Sequence, residues 1–142
     1  MYISDAKRLT TEGARKIKNA AVKAAEKAGI PITVAVVDAG GHLLVLERMD
    51  GGKFHSVHSA TTKAVCAASN KRNTGSTGAV GQSLDTLHAL GLALAAGPER
   101  WTAMEGGCPI MAGSECIGGD GVAGGNWEFD EKVAREAVEA IK

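Results

Sequence analysis

The sequence predicts a fold that mixes helices with antiparallel strands, and three observations carry that prediction. Residues 4–28 repeat small and apolar side chains at helical spacing. Two runs rich in β-branched residues, 32–38 and 43–48, are separated by four residues that include Gly40-Gly41. A second pair of short runs, 109–112 and 115–117, is separated by Gly113-Ser114. Connections this short join antiparallel neighbours, whereas parallel strands need a crossover of about a dozen residues or more. The chain therefore does not open with a βαβ unit.

Each element has its own justification. The first helix is expected over 4–28, capped by Ser4 or Asp5. Leu9, Gly13, Ile17, Ala20, Ala24 and Ala28 form its stripe, and Gly29 and Pro31 stop it. Ile32 to Asp38 and Leu43 to Arg48 form the first hairpin, broken by Met49-Asp50-Gly51-Gly52. A second helix is expected over 54–70, with Ala60, Ala64, Ala67 and Ala68 as close-packing residues. A third spans 82–96 and stops at Gly97-Pro98. A short strand is expected at 101–104, then the second hairpin. The last helix covers 128–141, with Asp130 and Glu131 at its positive end.

Composition narrows the function. The 142 residues correspond to one domain, with enough chain to bury roughly 68–70% of the unfolded surface. Sixteen basic and sixteen acidic residues cancel, which speaks against a nucleic-acid partner held by net charge. Only five aromatics are present, too few for base stacking along a strand. No apolar run approaches the ~18 residues that span a bilayer. Met1 to Asp5 lacks the apolar core of a signal peptide, so a cytoplasmic location and no membrane partner are expected. Cys66, Cys108 and Cys116 form no CxxC pair, and reduced thiols are expected. Charge is uneven: residues 1–30 carry seven basic and three acidic side chains, residues 101–142 three and eight. The two ends attract if they lie side by side.

Nineteen glycines are roughly twice the usual share of about 7%. Gly119 to Gly124 spells GxGxxG. A dinucleotide site needs that motif inside a βαβ unit with an acidic residue some 20 positions on. Too little chain follows Gly124 for a returning strand, so no nicotinamide cofactor is expected. The simpler reading is that the glycines let a strand lie close against a helix.

A family resemblance rests on several stretches. They are Ala35-Val36-Val37-Asp38-Ala39-Gly40-Gly41-His42-Leu43 and Arg48-Met49-Asp50-Gly51, then Ser56, Ala60 and Lys63-Ala64, and Arg72 with Thr74. Gly106-Gly107-Cys108-Pro109-Ile110 and Gly121-Val122-Ala123-Gly124-Gly125 complete the set. The matches run from about residue 3 to residue 141. In these stretches the chain resembles the GlcG/HbpS-like family, which includes the C-terminal domain of PduO-type proteins, and looks like a stand-alone OrfY-like member. The resemblance implies an α+β fold, a five-stranded antiparallel sheet with helices packed against it in a profilin/PAS-like layered architecture. It also implies homo-oligomers, and binding of haem or another tetrapyrrole in some members. Others are linked to corrinoid metabolism, to redox sensing, or to glycerol, diol and glycolate utilisation. Two positions depart from the family pattern: Asp120 stands where an apolar residue is usual, and His58 where Asp is frequent.

The candidate ligand-binding residues are His55, His58, Lys63, Arg72 and Asp120. His55 and His58 lie three apart, on one helical face. Either is a partly exposed histidine, or His58 is an iron or metal ligand, since neutral imidazole suits both. Lys63 is either a surface lysine whose stem snorkels, or a buried cation that needs Asp38, Asp120, a ligand carboxylate or a propionate. Asp120, mid-strand, is costly to bury alone, and is expected to face water, pair with Lys63 or Arg72, or ligate a metal. Asp38 suits a turn.

Three functional readings stand open. The first is an oligomeric accessory protein that binds haem, another tetrapyrrole or a small organic acid, in glycerol, diol or glycolate utilisation. The second is an enzyme acting on a small hydroxy or keto acid or on a corrinoid, with Lys63, His58 and Asp120 as acid–base groups. The third is an interaction scaffold without a ligand site. No nucleophile–base–orienter trio is visible, so no residue is assigned a catalytic role.

Overall fold

In the computed structural model, which describes residues 1–142, a four-stranded antiparallel sheet is sandwiched between helices. The elements are α1 (Thr11–Ala28), β1 (Thr33–Asp38), β2 (Leu43–Arg48), α2 (Ser56–Asn70), α3 (Thr86–Ala96), β3 (Gly107–Ala112), β4 (Glu115–Ala123) and α4 (Trp127–Ala137). A 3-10 turn, Val138–Ile141, follows α4. The strand order is β2-β1-β4-β3. The α+β layering matches the expectation, but there are four strands rather than five. Residues 101–104, expected as a strand, pair with nothing in the sheet.

Period-two alternation divides the sheet into two faces. Val34, Val36, Cys108, Ile110 and Val122 meet Ile17, Ala21 and Ala25 of α1 and Val133, Ala134 and Ala137 of α4 in the main core. Ala35, Val37 and Ala123 meet Ala60, Ala64 and Ala68 of α2 on the other face. That second face is tight because it lacks side chains. A Cβ on Gly121 would overlap the Ala60 carbonyl, and one on Gly119 the Ala64 carbonyl. The GxGxxG stretch is therefore mostly strand, and its glycines bring β4 against α2.

Local chemistry moved several boundaries. α1 starts at Thr11, not Ser4, because Thr10 Oγ1 accepts from Gly13 N–H at 3.0 Å. Leu9, just before that cap, is buried in the same cluster as Ala14, as a hydrophobic staple requires. α3 starts late because Asp85 caps it, accepting from His88 N–H at 2.8 Å. The basic first helix and acidic last helix do pack side by side, yet no ion pair joins them; α1's only pair is Lys18 with Glu47.

Candidate functional site

A groove of about 850 Å³ lies between α2 and α3, lined also by residues 98, 99, 101–104 and 123–125 and by Asp130. Its volume falls within the range of small-molecule and cofactor sites. His55, Ser56, His58, Ser59, Thr62 and Lys63 of the α2 side form one wall. Thr86, Ala89, Leu90 and Ala93 of α3 form the other. These residues recur at spacings of three and four, so each helix turns one face to the groove. Trp101 and Met104 add apolar surface, and Lys53 places a cation at the rim.

Lys63 sits on the buried stripe of α2 with Ala60, Ala64 and Ala67. Its Nζ donates to the Val122 carbonyl at 2.9 Å and to Asp130 Oδ2 at 3.3 Å. Asp130 Oδ1 accepts from Gly125 N–H at 2.9 Å. The pair therefore pins the β4–α4 connection to α2. Burial pushes the Lys63 amine below its usual value and the Asp130 carboxyl above its own, and the attraction between them opposes both shifts. Lys63 is thus a buried cation that needs an anion, as one reading held, but the carboxylate beside it is neither Asp38 nor Asp120. It is Asp130.

The five candidate residues divide. His55, His58 and Lys63 border the same groove, with both imidazoles exposed to it. Arg72 lies beyond the far end of α2 and donates to the Thr77 carbonyl at 3.5 Å, outside the groove. Asp120 points to the opposite face of the sheet, alternating with Gly119 and Gly121, which face α2. It is fully buried, and neither carboxyl oxygen has a hydrogen-bond partner. Burial drives this carboxyl well above the usual range; the N–H groups of Cys108 and of Asp120 itself oppose that without reaching hydrogen-bond geometry. The expected pairing of Asp120 with Lys63 or Arg72 does not occur, because the sheet stands between α2 and that side chain. The acid–base trio Lys63, His58 and Asp120 is not assembled either.

Other side chains fall into place. Asp38 Oδ1 accepts from the N–H groups of Gly40 at 2.9 Å and His42 at 3.0 Å, so it is a turn residue. Burial raises the Cys66 thiol, and burial with the nearby Asp120 charge pushes Cys108 up to about 12, so neither is poised as a thiolate. No three metal-binding side chains cluster, so His58 has no protein-only metal set around it. No helix is long and apolar enough to cross a membrane.

Sequence reasoning missed Asp130, Trp101 and the α3 wall. For Asp130 a signal existed: it stands at the head of the stripe Asp130, Val133, Ala134, Ala137, all buried. A carboxylate on one apolar stripe and an amine on another form a natural pair. Trp101 carried no such signal, since its position depends on an unpaired loop.

The family described as "Haem degrading protein HbpS-like" matches residues 9–139. The chain belongs to the HbpS-like family. Among solved structures, it is similar to Klebsiella pneumoniae protein ORFY, with 31% identity and TM-score 0.84, covering 99% of this chain and 95% of that one. It is similar to a double mutant of Streptomyces reticuli HbpS, with 34% identity and TM-score 0.82, covering 99% and 91%. It is also similar to the protein of a PduOC:heme complex, with 29% identity and TM-score 0.84, covering 96% of each chain. For this HbpS-like chain, the whole layered fold is thus shared with a protein crystallised with haem.

Proposed function

We propose that this HbpS-like protein binds a haem-type tetrapyrrole in the groove between α2 and α3, with His58 as the iron ligand and His55 beside it. The observation that carries the reading is the chemistry of the groove: two exposed imidazoles on one face of α2, opposite the apolar side chains Leu90, Ala93, Trp101 and Met104. A haem needs apolar walls for its macrocycle and a protein donor for its iron, and a histidine imidazole is a common donor of that kind. Lys53 at the rim supplies a cation for a propionate or for a free carboxylate. The likeness to the PduOC:heme complex supports the same reading. When bound, haem would contribute its iron's ligand and redox chemistry; the chain's own residues hold, orient and shield it. The protein assembles as a homo-oligomer and serves as an accessory in glycerol, diol or glycolate utilisation, as the family resemblance implies.

Titration of the purified protein with haemin tests this. A saturable Soret band at one equivalent per chain is expected, weakened in His58→Ala and unchanged in His42→Ala, which lies outside the groove. Absence of a saturable band in the wild type would overturn the proposal. A band lost only with His55→Ala would move the ligand to His55.

A further inference from the structure

Lys63 does more than pin two elements together, because it also borders a cavity. It is the one buried lysine: of the other nine, Lys18 is half-buried and the rest are exposed. Its side chain is 7% exposed and that of Asp130 5%, and both line the groove. An ammonium has three N–H donors. The Val122 carbonyl and Asp130 Oδ2 take two of them, and the third has no acceptor in the protein. The lining next to the pair is small. Ala123 and Gly124 lie between Val122, which accepts from Lys63, and Gly125, which donates to Asp130, and both border the groove.

A purely structural ion pair needs only contact between cation and carboxylate. This one also holds what carbonyl chemistry needs, an amine and a proton carrier within hydrogen-bond reach. Burial opposes the charge on both groups. Passing one proton from Nζ to Oδ2 therefore leaves a neutral amine beside a neutral carboxylic acid, with no net charge created. A neutral amine is a nucleophile, whereas an exposed lysine is almost wholly protonated at neutral pH.

We infer that Lys63 forms an imine with small aldehydes that enter the groove, and that Asp130 carries the proton. The Nζ lone pair attacks the carbonyl carbon, the C=O π pair moves to oxygen, and that oxygen takes the proton of the Asp130 carboxyl. An N–H proton then returns to Asp130, which completes the carbinolamine. The same carboxyl protonates the new hydroxyl, which leaves as water while the nitrogen lone pair forms C=N. The product is an iminium cation beside the Asp130 carboxylate, so the ion pair survives the step and hydrolysis reverses it. An amine this shielded admits only an unhindered carbonyl, which selects a short aldehyde over a ketone. The assignment needs the groove but no iron, and it stands or falls apart from the haem reading.

Reductive trapping tests it. The protein, without added haemin, is incubated with acetaldehyde and cyanoborohydride, and N-ethyl groups are located by peptide mass mapping, with the exposed Met1 amine as reagent control. At pH 7 Lys63 should be labelled at least about tenfold faster than any other lysine, since each unit of lowered pKa is tenfold in free amine. Labelling that spreads over the exposed lysines and reaches Lys63 last, or not at all, overturns the assignment without any variant. Asp130→Asn keeps the shape of the side chain but carries no transferable proton. Its Lys63 should be labelled about 100-fold more slowly than in the wild type, with the exposed lysines unchanged. Equal rates at Lys63 in the two proteins overturn the part given to Asp130.

Discussion

Helices α2 and α3 face each other across one groove and are made of similar material. Each contains four alanines. Eight residues of α2 are buried and none of α3. The difference lies in what each helix was given to rest on. α2 lies on a strand whose glycines at 119 and 121 leave its backbone room to touch the sheet, and Lys63 bolts it to the β4–α4 connection. α3 has loops at both ends and no strand beneath it. Apolar content alone therefore does not bury a helix; a complementary surface must exist, in the same chain or in another. The groove has one fixed wall and one wall awaiting support.

The strongest way to break the fixed wall is Lys63→Met. It strands Asp130 without its cation in a buried setting, and losing one partner of a buried pair costs about 3–5 kcal/mol. Urea denaturation should show that loss, and the double variant Lys63→Met/Asp130→Leu should recover more than half of it. A single variant as stable as the wild type would mean that the pair does not anchor α2.

Gly121→Ala comes next. Its new Cβ would meet the Ala60 carbonyl, which is helix backbone and cannot rotate away. Overpacking of this kind costs about 1–3 kcal/mol, and because α2 must lift, haemin affinity should fall too. Equal stability and affinity in the variant would show that α2 and β4 have slack between them.

Behind the fixed wall, Asp120 gives an effect of opposite sign. Its carboxyl is raised by burial, so its contribution to stability is fully present below the ordinary carboxylate pKa of about 3.9 and is lost as pH rises toward the folded-state value. Asp120→Val removes an unpartnered polar group from the main core, which should stabilise the protein by about 1–3 kcal/mol at pH 7. Thermal melts between pH 4 and pH 8 should decline less steeply for the variant than for the wild type. Haemin binding should not change, since the side chain lies on the other face of the sheet; reduced binding would put Asp120 back in the site. The smallest effect belongs to the loose wall. Gly91→Ala adds a methyl to open space and a better helix former, so it should shift stability by about 1 kcal/mol or less in the favourable direction.

Much of this arrangement was legible in the sequence, for identifiable reasons. The first hairpin is encoded locally by Asp38 and Gly40-Gly41, and it formed between the expected residues. The groove-facing placement of His55, His58 and Lys63 follows from helical spacing, which needs no knowledge of distant chain. The destination of Asp120 was not legible, because a strand residue's face depends on register, and one step exchanges pocket for core. The fifth strand failed for a related reason: 101–104 has strand-like composition, but it pairs with neither edge strand of the sheet, β2 or β3, and composition does not specify a pairing partner. Asp130 was readable and was assigned instead to the helix dipole, a weaker demand than burial on an apolar stripe.

The account turns on an imidazole from α2 holding the iron, and magnetic circular dichroism of the haemin-loaded protein tests that directly. The wild type should give a histidine-ligated signature, His58→Ala should lose it, and added free imidazole should restore it in the cavity left behind. A signature that survives unchanged in the His55→Ala/His58→Ala double variant would contradict the account.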